Sequence, residues 1–338
     1  MKKIVRTTLA VSIALALTAC NNDNNDPTPT TLDISGAAIK GTLAAATVNV
    51  YAASDAERAT VLATAQTDAN GDYSVQVIDA TGAEIMGTFV VEVVADEDTT
   101  MICDATMCGD VARGESIPAA ELEGLSLSTI TYSDGNAISA DVNSLTTMAT
   151  DTILSSAAIE GSAIDLASIS AADFLEVQND TSEIIGAILG VDLSATNIFA
   201  IDIVDASVSA DVSVEDSITA TLTLINASLT SLDVADGSTL SAAINDYVNA
   251  VETVTAALLV DADVDLGTAN SEALATINAT QAQISDEVTM ISAEITTDTG
   301  VEVPTEEVPT ELDEEALGET VGEIIDGTGG TGGTGGEG

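Results

Sequence analysis

Thr47-Val48-Asn49-Val50-Tyr51, Thr67-Asp68-Ala69-Asn70-Gly71-Asp72-Tyr73 and Ser74-Val75-Gln76-Val77 decide the reading of the first part of this 338-residue chain. The outer two runs alternate apolar and polar residues, the pattern of a strand with one face buried. The middle run is a turn signal, because Asn-Gly supplies a positive φ at little steric cost. Thr88-Phe89-Val90-Val91-Glu92-Val93-Val94 adds a further strand. Short strands at regular spacing from Gly36 to about Asn136 predict a small β-sandwich.

Downstream of Asp141 the period changes. Ser170-Ala171-Ala172-Asp173 has capping-box spacing before Phe174, Val177, Ile184 and Ile188. Ile218, Leu222, Ile225, Leu229 and Leu232 step by four and three, as do Leu240, Ile244, Val251, Val254 and Leu258 with Tyr247 between them. The stripe continues through Leu274, Ile277, Gln281, Ile284, Val288, Ile291 and Ile295. These are faces of amphipathic helices, expected to close on one another as an intramolecular bundle rather than on a coiled-coil partner. The Ser, Thr and Val content of 207–224 leaves a strand open there. From Thr296 the composition turns to Pro, Glu and then Gly-Thr-Gly-Gly; Leu312 to Ile325 allows a short helix, but the segment is expected as a solvated, disordered tail.

Upstream, 21–35 has no apolar period and reads as a flexible tether. Before it stand Lys2, Lys3 and Arg6, an apolar run from Leu9 to Leu17, and Leu17-Thr18-Ala19-Cys20. Basic residues, a short apolar run and small residues at a cleavage point make an export signal. The run is too short to span a bilayer, which takes about 20 residues. Leu-Thr-Ala-Cys resembles the lipobox of bacterial lipoproteins. That resemblance implies cleavage before Cys20, diacylation of its sulfur and acylation of the new N-terminus. Asn21, in place of the Asp that retains such proteins at the inner membrane, points to the outer membrane, with the folded part facing the periplasm or the cell surface.

The strand region carries a second resemblance. Gly36-Ala37-Ala38-Ile39-Lys40-Gly41-Thr42-Leu43, Ala46-Thr47-Val48 and the Thr67-Asp68-x-x-Gly71-x-Tyr73 run are similar to the carboxypeptidase regulatory-like (transthyretin-like) β-sandwich family. Its motifs are roughly G-x-V-x-G-x-P-L-x-G-A-x-V and a T-D-x-x-G-x-Y hairpin. Ala45 stands where the family often has Gly, and Thr42 where it has Pro. Asn143-Ser144-Leu145-Thr146-Thr147 is similar to the N-P-L-T-T junction that follows such domains in bacterial surface lipoproteins. The resemblance implies a non-catalytic accessory, spacer or adhesion module. The expected fold is α+β and multidomain: signal peptide 1–19, lipidated tether 20–35, transthyretin/Ig-like β-sandwich 36–140, α-helical domain 141–296 and disordered acidic and Gly-rich tail 297–338.

Composition narrows the function. The chain has 56 Asp and Glu against six Lys and Arg, no His, and a net charge of −50; removal of the signal takes three of the six bases. So acidic a chain is not expected to bind nucleic acid, which needs clustered Lys and Arg on phosphates. Without His, Ser-His-Asp and Cys-His constellations are excluded, and no Gly-Lys-Ser/Thr phosphate loop is present. A Ser–Lys pair has only Lys40 to draw on. A pair of carboxylates for sugar cleavage would lack aromatic platforms, since aromatics are 2% of the chain. The expectation is a non-enzymatic envelope protein of structural, adhesive or partner-binding type, held to the membrane by its lipid anchor and meeting a protein partner in the envelope or outside the cell.

Two site expectations remain. Cys103 and Cys108, close together in an exported chain without His ligands, read as a disulfide. Asp261, Asp263, Asp265 and Glu272 fall at positions one, three, five and twelve of an EF-hand-like calcium loop. Leu266 occupies the position where the sharp turn wants Gly, and Gly267 comes one place late. The chain is expected to need no cofactor, with calcium at this loop the alternative in a calcium- or ligand-binding surface lipoprotein.

Overall fold

The computed structural model describes residues 27–159, 162–232 and 239–328. The signal, Cys20 and the first part of the tether, 20–26, lie outside the described residues, as do 329–338 of the tail. The expected flexible tether is corrected over its last part: Thr30–Ser35 pair as a strand with 74–79, with Leu32 and Ile34 buried, because apolar residues two apart find a covered face. The described chain is mixed α+β. Its strands come first: β1 (Thr30–Ala37), β2 (Leu43–Ala44), β3 (Thr47–Ala52), β4 (Ala63–Gln66), β5 (Asp72–Asp79), β6 (Met86–Val94), β7 (Thr100–Ile102), β8 (Met107–Cys108), β9 (Val111–Ala112), β10 (Ser116–Ile117), β11 (Ser126–Asp134) and β12 (Ile138–Ser139), with one short helix, α1 (Ala119–Leu122), among them. Helices follow: α2 (Ser144–Ala158), α3 (Ala171–Leu189), α4 (Ser209–Val212), α5 (Ser217–Ser228), α6 (Leu240–Val260), α7 (Leu266–Ala269), α8 (Ser271–Thr299) and α9 (Glu314–Thr328).

The two larger sheets have strand orders β12-β1-β5 and β11-β6-β3-β4. β5 shows why the alternating pattern works: Tyr73, Val75 and Val77 are buried, while Asp72, Ser74 and Gln76 face water. β6 is covered on both sides. Phe89, Val91 and Val93 share a core with Leu32, Ile34, Val48, Val50, Val75 and Val77 from β1, β3 and β5. On the opposite face Val90 meets Ile130, Ile153 of α2, Leu166 and Phe174 of α3. The four-stranded sheet therefore has strands against one face and helices against the other.

The Asp68–Gly71 turn forms, but it does not make a hairpin. β4 pairs with β3 and β5 pairs with β1, so the turn carries the chain from one sheet to the other. Thr67 causes the departure. Its hydroxyl accepts from Ala46 N and donates to Leu43 O, and its backbone bonds both Ala45 and Ala46. That anchors the strand end to 43–46 instead of letting it fold back. Gly71 then turns at φ +79°, with Asp68 Oδ1 accepting from Asn70 N and Asp72 N.

Helix starts follow their caps. Asn143 accepts from Leu145 N and Thr146 N, and Thr146 Oγ1 accepts from Asn143 N in return. The same Thr pair stitches α2 to β11: Thr146 donates to Ser128 O, and Thr147 Oγ1 accepts from Ser128 N. Ser170 caps α3. The stretch left open as a strand, 207–224, is helical, because Asp216 takes the first amides of α5 at Ile218 and Thr219. α2 packs against β11, α3 and α6, and α6 against α8. The apolar core runs without a break from the strands through Leu145 and Met148 into the helices.

The expected disordered tail is corrected over its first part. Gly300 ends α8 in the left-handed conformation, and the chain then crosses the helices as a strap with Val303, Val308 and Leu312 buried. Pro309 sits on Gly190, where a Cβ would come within 2.2 Å of its ring. Leu317 and Val321 bury the inner face of α9, which lies against α3 and α6. Apolar residues four or five apart suffice here because the helices supply a ready surface.

Candidate functional site

Cys103 and Cys108 are bonded, with Cα atoms 5.8 Å apart, and both are buried. The four carboxylates of the calcium expectation are not gathered. Asp261 ends α6, and its Oδ1 accepts from Asp263 N. Asp265 caps α7, accepting from Thr268 N and Thr268 Oγ1. Glu272 lies in the first turn of α8. Leu266 explains the difference: it turns inward and is buried, starting a helix where a calcium loop would need a sharp turn around an ion. Among the described residues no group of three or more His, Cys, Asp or Glu is placed to hold a metal.

Each of the few positive charges among the described residues is used to join the strand-rich half to the helices. Downstream of Cys20 the chain has three basic residues, Lys40, Arg58 and Arg113. All lie in loops or strands of the first half, and all reach the helices. Lys40, between β1 and β2, is fully buried and donates to the carbonyl of Asn226 near the end of α5. Asn226 answers with its side chain: Nδ2 donates to Ile39 O, and Oδ1 accepts from Ser144 N. Asp104, buried close by, accepts from Gly41 N at 2.7 Å and Thr230 Oγ1 at 2.6 Å. Burial pushes the Lys40 amine down to about 8, against the pull of Asp104, and burial likewise pushes Asp104 upward.

Arg58, in the β3–β4 loop, binds Glu92 of β6 at 2.5 Å and approaches Asp151 of α2 at 3.7 Å. Burial raises the Asp151 carboxyl to about 6; Arg58 opposes this, while Glu252 and Glu92 reinforce it. Arg113, after β9, donates to the carbonyl of Ala206 and lies 3.9 Å from Glu294 and 3.8 Å from Asp298 on α8. Composition hid these three contacts, yet their signal was in the sequence: a lone base in so acidic a chain has many potential partners.

Two open grooves flank the C-terminal strap. One, of about 980 Å³, runs between α8 and 302–311, with Ser285, Ser292 and Thr296 on one wall and Glu302, Glu306 and Glu311 on the other. The second, about 510 Å³, includes Gly186, Gly190, Leu193 and Pro309. No Lys or Arg lines either groove, so neither is built to hold an anionic ligand. Lys40, the sole lysine left for a Ser–Lys pair, is sealed from solvent.

No known protein family, curated protein or solved structure matches this chain.

Proposed function

We propose that the protein is a lipid-anchored, non-enzymatic component of a bacterial outer membrane, whose folded part meets a partner in the periplasm or at the cell surface. The observation that carries this reading is Leu17-Thr18-Ala19-Cys20 behind a basic and apolar leader. Acyl chains on Cys20 supply the attachment, each buried CH₂ contributing about 0.8 kcal/mol, so that two or three chains hold firmly where one holds marginally. An internal disulfide fits the oxidising envelope.

In the same reading 36–140 is a transthyretin-like β-sandwich serving as a spacer, and the helices form the partner-facing part. Two details support that finer assignment. Ala45, at a position the family often fills with Gly, has φ +61°. Asn143 of the junction motif caps α2.

Mass spectrometry of detergent-extracted protein tests the anchor. The expected N-terminal peptide begins at Cys20 and carries fatty acyl groups, and Cys20→Ala releases the protein from the membrane fraction. An unmodified Cys20, or a wild-type protein that fractionates without detergent, overturns the reading. Protease treatment of intact cells then tells which side of the membrane the folded part faces.

A further inference from the structure

The Cys103–Cys108 loop is short, but it carries contacts to both halves. Asp104 joins Gly41 in the β1–β2 loop to Thr230 beyond α5. Thr106 donates from both its backbone N and its Oγ1 to Glu287 Oε1 of α8, each at 2.7 Å. Glu287 is itself buried, so these two bonds replace water at a carboxylate. Arg113, at the end of the same hairpin, reaches Ala206 and α8. The backbone holds the hairpin through short ladders: β8 and β9 pair over two residues each, Gly114 N and Arg113 N close back onto Cys103 O and Thr106 O, Cys103 N donates to Glu115 O, and β7 pairs with β10 over two residues at its base. So short a ladder does not fix a loop by itself.

We propose that the Cys103–Cys108 bond is a one-way redox latch: its closure sets Asp104 and Thr106 in place, and only then do α5 and α8 dock firmly on the strands. In a reducing compartment the loop stays open and the helices stay loosely held. On oxidation the two thiols give up two protons and two electrons to a disulfide oxidant, which is reduced to two thiols as the sulfur–sulfur bond forms. Once the helices have docked, Cys103 and Cys108 are shielded from attacking thiolates, so the closed latch resists reduction while the fold persists. The latch does not depend on acylation of Cys20, and its failure would leave the anchoring reading standing.

Hydrogen exchange on the chain from residue 21 onward, oxidised with glutathione disulfide, tests the latch against the Cys103→Ala/Cys108→Ala variant. The expected result is exchange about tenfold faster or more in 226–231 and 284–298 of the variant, with β1, β5 and β6 unchanged. Thr106→Val, which keeps the disulfide, is expected to loosen 284–298 alone. Dithiothreitol without denaturant is expected to leave the wild-type bond intact. Equal protection in variant and wild type overturns the proposal. So does uniform loss that includes β1 and β5, which would make the bond a general staple, and so does ready reduction of the native protein.

Discussion

At the scale of single residues, conformation and burial impose costs that substitution can read. Ala45 holds a left-handed backbone without the freedom of glycine. Ala45→Gly is therefore expected to raise stability by about 0.5–1 kcal/mol, the relief of strain exceeding the entropy added to the unfolded chain; urea unfolding measures it. Asp151 carries a pH dependence of definite sign. Its folded carboxyl is raised from 3.8 to about 6, so the folded state holds the proton more tightly than the unfolded state does. Stability from this group is present below about pH 4 and falls as pH rises through about 6, by an amount on the order of 3 kcal/mol. Asp151→Asn is expected to flatten the stability curve across that window, and parallel curves for variant and wild type would refute the assignment. Both sites show how far residues could be read alone. Ala45 was visible as a departure from a motif, whereas Asp151 is one acid among 56 and becomes distinct only when α2 places it beside Arg58 and Glu92.

At the scale of elements, periodicity identified strands and helices wherever a single face is buried. Tyr73, Val75 and Val77 are buried on one face of β5, and Ile277, Ile284, Val288, Ile291 and Ile295 line the inner side of α8. What periodicity could not supply was the partner of each element. The Asn-Gly turn marked a reversal, and Thr67, bonded to a segment more than twenty residues earlier, made it a passage between sheets. The strap departs from its expected disorder for a related reason: its prolines and acids suit a solvated chain, and its few apolar residues gain meaning only from the surface beneath them, while the short helix allowed over Leu312 to Ile325 forms as α9 and packs on that surface. The acidic loop shows the opposite relation between spacing and fold. Its spacing was right, but the inward turn of Leu266 gave Asp265 a helix to cap. Leu317→Ala is expected to cost about 2–4 kcal/mol, as for a fully buried leucine, while Glu315→Ala shifts stability by less than about 0.5 kcal/mol. Thermal unfolding of the two variants checks this, and equal midpoints would mean that α9 adds nothing to the fold.

At the scale of the whole molecule, charge is the governing term. With 56 acids against six bases, repulsion across the surface opposes the compact state, and dissolved salt screens it. The contacts of Lys40 are shielded by burial and are screened less. The melting temperature is therefore expected to rise between 10 mM and 1 M sodium chloride, the reverse of a fold held by surface ion pairs; scanning calorimetry measures it, and a falling or flat dependence would refute the balance. Calcium at matched ionic strength is expected to act alike in wild type and in Glu272→Ala, because the loop does not gather its carboxylates. The placement of the three bases has one more consequence. No positive side chain follows Arg113 anywhere in the sequence, so the later part of the molecule borrows its only neutralising partners from the earlier part. A gene fragment starting at Asn143 would encode a pure polyanion, and the two portions are not modules that can be swapped independently into other proteins.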